Sequence, residues 1–143
     1  LLVDDHDITR NLLASHIARI PRIEIVGHAR DGDEGVRQAA SLHPDLVLMD
    51  VQMPRMDGIA ATRAIKRFPT PPRVVIVSAS PSYFREARAA GADACCEKSH
   101  LRAQLLGLIQ GLFPHEGGDQ DGSRHEGSAA ERNDTGQREG PMN

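Results

Sequence analysis

Leu46-Val47-Leu48-Met49-Asp50-Val51-Gln52-Met53-Pro54-Arg55-Met56-Asp57-Gly58 is the stretch that decides the fold. Its apolar beginning reads as a buried strand, introduced by Pro44 and carrying a single carboxylate, Asp50, to its end. The chain then turns at Pro54 and enters a helix near Asp57-Gly58, with Asp57 as the N-cap. Packing a buried strand requires no aspartate at its tip. A carboxylate presented there can bind a metal or attack phosphorus. Leu1-Leu2-Val3-Asp4-Asp5 repeats the pattern: an apolar run delivering acid. Two acidic strand ends in one alternating α/β pattern point to a metal-assisted phosphoryl site.

Working outward, the two periodicities alternate. Leu1 to Val3 reads as a short strand. Ile8 to Ile20 has helical spacing, with Asp7 as N-cap and Pro21 as terminator. Ile23 to Ala29 reads as a strand, and Asp33 to Leu42 as a helix following Asp31-Gly32. After the Leu46 to Met49 strand come a Gly58 to Phe68 helix, a β-branched Val74 to Val77 strand and a Ser82 to Ala90 helix closed by Gly91. Ala92 to Cys96 is a last strand and Leu101 to Leu112 a last amphipathic helix. Five strands alternating with five helices call for a parallel sheet, doubly wound, with helices on both faces.

The chain has 143 residues and a net charge of −3, with 3% aromatic residues, enough length for one domain with a real core. That composition gives no basic surface for nucleic acid. No apolar run approaches the roughly 20 residues of a membrane span, and no signal peptide is visible. Strands usually run to about 5–6 residues, so residues preceding Leu1 are expected. Cys95 and Cys96 are adjacent, without metal-ligand spacing, and fit packing in a reducing cytoplasm. Composition changes at Phe113-Pro114. Residues 1–112 carry 14 basic and 13 acidic side chains, whereas 113–143 carry 3 and 7 with six glycines. The second segment is read as a disordered Gly/acidic tail, because it cannot offset its own ordering entropy by burial.

Ligands of such a sheet bind beyond the carboxyl ends of its strands. Those ends supply Asp4 and Asp5, Asp50, Ser78 and, after the last strand, Lys98. Clustered carboxylates repel unless a cation lies among them, and magnesium suits an all-oxygen set. A hydroxyl and an ammonium can hold phosphoryl oxygens. Asp50 is left as the nucleophile, forming an acyl phosphate. His6, at the edge of this group, is read as structural. Met49, Met53 and Met56 are read as packing residues.

Leu2-Val3-Asp4-Asp5-His6, the Pro44 to Gly58 run, Val74 to Ala79 and Ala90-Gly91-Ala92-Asp93 with Lys98 together resemble the receiver domain of two-component response regulators. Asp5-His6 and Arg10 are most similar to receivers that precede LuxR-type DNA-binding domains. The resemblance covers residues 1–112 and implies a flavodoxin-like strand order, 2-1-3-4-5. It implies that Asp50 accepts phosphate from a sensor histidine kinase or phosphotransfer protein. It also implies magnesium at Asp4, Asp5, Asp50 and the backbone carbonyl of Gln52, with Ser78 as switch hydroxyl and Lys98 as phosphoryl-binding lysine. Such a domain is a switch or relay module rather than an enzyme acting on a separate substrate, with homodimerisation on phosphorylation as a compatible response.

Three departures stand out. Cys95 replaces an aromatic three residues before the lysine, which predicts a weakened switch. Ser99 replaces a proline after the lysine. No helix-turn-helix sequence follows. One alternative is a fragment of a larger transcription regulator or hybrid kinase. Another is a haloacid-dehalogenase-type phosphohydrolase, but that chemistry wants a second aspartate where Gln52 stands. The complete acidic set disfavours a binding-only pseudo-receiver.

Overall fold

The structure, a computed structural model, describes residues 1–114. The tail expected over 113–143 therefore lies, from residue 115 onward, outside the described residues. The strands are β1 (Leu2–Val3), β2 (His28–Ala29), β3 (Leu46–Asp50), β4 (Arg73–Ser78) and β5 (Ala94–Glu97). The helices are α1 (Asp7–Ile17), α2 (Gly32–Leu42), α3 (Gly58–Lys66), α4 (Phe84–Ala89) and α5 (Leu101–Leu112). Short 3-10 turns at Pro81–Tyr83 and Lys98–His100 precede α4 and α5. All strand pairings are parallel, in the order β2-β1-β3-β4-β5, so the expected doubly wound sheet is present.

Period-2 alternation within each strand sorts the core onto two faces. Val47, Met49, Val74 and Ile76 pack with Ala39, Ile59, Ile65 and Ala87 from α2, α3 and α4. Leu48, Val75, Val77 and Cys96 point the other way, to Leu13 and Ile17 of α1 and Leu101 and Leu105 of α5. Both faces of the central strands are buried, which explains their unbroken apolar runs.

Several boundaries differ from expectation. β2 occupies only His28–Ala29 of the anticipated Ile23 to Ala29. Its sole neighbour, β1, offers Leu2 and Val3, so the ladder ends with Leu2 N–H donating to the Gly27 carbonyl at 3.1 Å. Ile23 and Ile25 still pack on the α1/α5 face, without a strand to pair with. Asp7 begins α1 instead of capping it; His6 takes the N-cap place, and Asp7 is an ion-pair partner of Arg10. α1 stops at Ile17, ahead of Pro21, and α3 at Lys66. The anticipated Ser82 to Ala90 helix is split into the Pro81–Tyr83 turn and α4. Asp57 caps α3 as expected, accepting the Ala60 N–H at 2.8 Å.

Asp93 joins β4, α3 and the entry to β5. Its carboxylate accepts the Val74 N–H at 2.8 Å, meets Arg73 at 3.1 Å and pairs with Lys66. Burial works against this charge, but Lys66, the Val74 amide and Arg73 outweigh it and hold the carboxyl below its ordinary value. A depressed folded-state value stabilises fully above the unfolded carboxylate pKa of about 3.9, and that stability is lost as pH falls through the folded value. Asp93→Ala is expected to cost about 1–3 kcal/mol at pH 7 by urea titration, since it leaves the Val74 amide without an acceptor and the Lys66 ammonium, still bonded to the Pro72 carbonyl, without a counter-charge. The difference from the unsubstituted protein should shrink below about pH 4. A cost that does not change with pH would show that packing, not charge, makes this junction.

Candidate functional site

Parallel register brings the acids together. Val3 is level with Met49, so the next residues, Asp4 and Asp50, leave the sheet side by side. Asp50 is level with Val77 and Ser78 with Glu97, so Ser78 and then Lys98 emerge along the same carboxyl edge. Asp4, Asp50 and Ser78 are all buried, whereas Asp5 is half-buried. Ligand atoms of Asp4, Asp5, His6 and Asp50 lie within 4.8 Å of one another. The three aspartates meet where the strand ends predict, and His6 lies beside them, as its place at the edge of the group in the sequence implies. Its Nδ1 is 3.1 Å from Asp5 Oδ1 and 3.4 Å from Asp4 Oδ1.

Each carboxylate has a defined set of partners. Asp4 Oδ1 accepts the His6 N–H at 2.9 Å, and Asp4 Oδ2 accepts from Lys98 Nζ at 3.1 Å. The same ammonium is 3.2 Å from Asp50 Oδ1, which also accepts the Val51 N–H at 2.9 Å. Asp50 Oδ2 receives no hydrogen bond among the described residues and is not enclosed. It is the carboxylate oxygen of Asp50 left without a partner. Burial first, and then the neighbouring Asp4, push the Asp50 carboxyl above its ordinary value, against the pull of Lys98 and the Val51 amide. Burial also opposes the charge on Lys98, but Asp50 and Asp4 outweigh it and hold the ammonium more firmly protonated. One cation thus partly neutralises two buried anions.

Behind the cluster, buried Arg10 donates from Nη1 to the Asp4 carbonyl at 2.8 Å and pairs with Asp7. It fixes the turn that aims Asp4 and Asp5. On the other side, Arg55 is bound to buried Asp31 through Nε at 2.9 Å and Nη2 at 2.7 Å. That pair docks the loop after β3 onto the start of α2, where Gly32 N–H also donates to the Met56 carbonyl. Ser78 Oγ accepts the Ser80 N–H at 3.2 Å, and among the described residues its own O–H has no acceptor. Neither Arg55 nor Tyr83, which is hydrogen-bonded to Gln52 at 2.6 Å, was marked by sequence spacing.

The acidic cluster fits a hard divalent cation. Its side-chain oxygens are all carboxylate, and Asp5 Oδ1 is buried and accepts no hydrogen bond among the described residues, although the His6 ring nitrogen lies 3.1 Å away. By contrast, an apolar groove of about 890 Å³ lies toward the opposite edge of the sheet among Ile17, Ile23, Leu46 and Ile109, away from these acids. Burial raises both thiol pKa values, at Cys95 and Cys96, which fits packing rather than a reactive thiolate.

A family model, the response regulator receiver domain, matches residues 1–110. The chain belongs to that family. It is 46% identical over 78 residues to the transcriptional regulatory protein LiaR of Bacillus subtilis, covering 54% of this chain and 37% of LiaR. It is 40% identical over 96 residues to the response regulator GacA of Pseudomonas viridiflava, covering 64% of this chain and 45% of GacA. The chain therefore spans less than half the length of these curated relatives. Among solved structures, it resembles a LuxR-family two-component response regulator from Aurantimonas sp. with a TM-score of 0.74 at 33% identity, covering 78% of this chain and 81% of that one. It resembles the response regulator domain of Thermotoga maritima CheB with a TM-score of 0.73 at 30% identity, covering 80% and 95%. The receiver fold and its signalling role are thus shared with these response regulators. No helix among the described residues is long and apolar enough to cross a membrane.

Proposed function

We propose that this receiver accepts a phosphoryl group on Asp50 from a sensor histidine kinase or phosphotransfer protein, and that Asp4, Asp5, Asp50 and the Gln52 carbonyl hold magnesium. The observation that carries the reading is the unpartnered Asp50 Oδ2 beside a bridging lysine at the carboxyl edge of the sheet. In the transfer, Asp50 Oδ2 forms the new P–O bond as the donor's P–N bond breaks, and the histidine leaves with its electron pair. Lys98 Nζ neutralises charge on the incoming oxygens, and the free O–H of Ser78 donates to one of them. A cation held by Asp4, Asp5, Asp50 and the Gln52 carbonyl would shield the like charges and supply electrophilic stabilisation to phosphoryl oxygens. The domain is then a switch or relay rather than an enzyme with a separate substrate. We place its working unit within residues 1–112 and its location in the cytoplasm, without nucleic-acid contacts of its own.

The donor's docking face is proposed on α1. Ile8 and Leu12 sit one turn apart, 85% and 57% exposed, and Leu12 lines the cleft that reaches Asp50 and Lys98 between α1 and α5. A small phosphodonor with magnesium should add one acid-stable, base-labile phosphoryl group, detected by intact mass. Ile8→Asp should leave that labelling intact and slow transfer from a phosphohistidine protein about tenfold, as loss of a buried apolar contact implies. No labelling by any donor would remove the reading. The lengths of LiaR and GacA favour a second setting, in which this domain serves as the receiver of a longer regulator. A reading frame continuing into an output domain would establish it, and dimerisation on phosphorylation would then be measured on that longer protein.

A further inference from the structure

We propose that Tyr83 is a positioning residue for the phosphorylated site, setting the lifetime of the acyl phosphate by tying Gln52 to the segment that carries Ser78. The inference rests on the phosphoacceptor reading above. Gln52 leaves the chain two residues after Asp50, in the loop between β3 and α3. Its side chain is exposed and has one partner among the described residues, the Tyr83 hydroxyl, 2.6 Å from Nε2 and 31 residues away in sequence. An exposed glutamine has no reason to be ordered unless something fixed receives it. Tyr83 is fixed. Its ring is half-buried against the same apolar cluster as Ala87, Ala90 and Cys95.

The hydroxyl is also held at a set place relative to Ser78. Tyr83 closes the 3-10 turn Pro81–Tyr83, capped by Ser80, whose Oγ accepts the Ser82 N–H and lies 2.8 Å from Ser82 Oγ. Ser80 N–H in turn donates to Ser78 Oγ. A short strap therefore runs from Ser78 to Tyr83 and crosses to Gln52, joining the two loops that flank Asp50. Cys95, on the neighbouring strand, is too small to make such a bridge itself.

The consequence concerns hydrolysis. Loss of the phosphoryl group requires a water oxygen to attack phosphorus, forming a new P–O bond. The bond from phosphorus to the Asp50 oxygen breaks, the carboxylate returns, and the water proton leaves with inorganic phosphate. A closed strap restricts the loop movement that admits this water. Tyr83→Phe keeps the packed ring and removes the hydroxyl alone. It is expected to speed acyl-phosphate loss about fivefold, the factor that a net hydrogen bond confers, with little change in melting temperature. Gln52→Met should act similarly, and the double variant should be no faster than the faster single one.

The experiment follows decay of label by intact mass after removal of a small phosphodonor, in magnesium, for the four proteins. In parallel, it measures exchange of the Gln52 side-chain amide protons by NMR in unlabelled protein, which should quicken in Tyr83→Phe. Unchanged decay in Tyr83→Phe, or single effects that multiply, would overturn the strap. Unchanged amide exchange would overturn the tie itself without touching the acceptor reading. Absence of label in the unsubstituted protein would overturn the acceptor reading and the lifetime claim with it.

Discussion

Asp50→Asn is expected to bring labelling by a small phosphodonor down to background while leaving the fold intact. Asp50 is the one carboxylate of the cluster that combines a free oxygen with a strand end held from both sides. Asn keeps its shape and its capacity to accept the Val51 N–H, yet its amide is a poor nucleophile. A second effect has the opposite sign. Burial and Asp4 both disfavour the Asp50 charge, so without a divalent cation the neutral variant should be more stable, by up to about 1 kcal/mol. Magnesium should then reverse the order. At tenfold excess over its dissociation constant it stabilises the native state by about 1.4 kcal/mol, and a site with one carboxylate fewer should gain less. Intact mass and thermal melts with and without magnesium measure both. Equal labelling of the two proteins would place the acceptor elsewhere, and a melting temperature indifferent to saturating magnesium would count against the cation site.

The gathering of these groups at one edge of the sheet could be read from the chain because strand ends announce themselves. An apolar run that stops at a carboxylate, hydroxyl or lysine fixes both the element and the edge to which the group belongs, as at Asp4, Asp50, Ser78 and Lys98. The same logic is silent about residues that reach the site by folding back. Tyr83 lies in a polar turn with no periodicity, and its link to Gln52 exists only once β3 and β4 pair. The chain places His6 only at the edge of the acidic group; the tight turn of Asp4 onto the His6 amide is what brings its ring to the carboxylates. The misread β2 has another cause. Alternation at Ile23 and Ile25 reports burial against α1 and α5, and burial does not require a ladder partner.

Gly58→Ala is expected to be among the most destabilising single substitutions in the domain. Helix propensity alone gives the opposite sign, favouring alanine by up to about 1 kcal/mol. Packing decides otherwise. A Cβ at Gly58 would lie 1.8 Å from the Asp50 carbonyl oxygen and 2.8 Å from its carbonyl carbon, with Met49 Cγ at 3.0 Å. The first two obstacles are backbone in the central strand, so no side-chain rotation relieves them. The helix must move instead, and its start is pinned there by Gly58 N–H on the Val51 carbonyl at 2.8 Å and by Gly32 N–H on the Met56 carbonyl at 2.9 Å. Relief therefore costs those bonds and the packing of Ile59 and Ala61 on the sheet, about 3 kcal/mol or more. Any shift of the Asp50 carbonyl also turns its carboxylate away from Lys98. Labelling should then fall more steeply than the folded fraction measured by urea titration. A Gly58→Ala protein with unchanged stability and labelling would show that α3 can slide freely along β3, and that the close approach at Asp50 is not what sets glycine at this position.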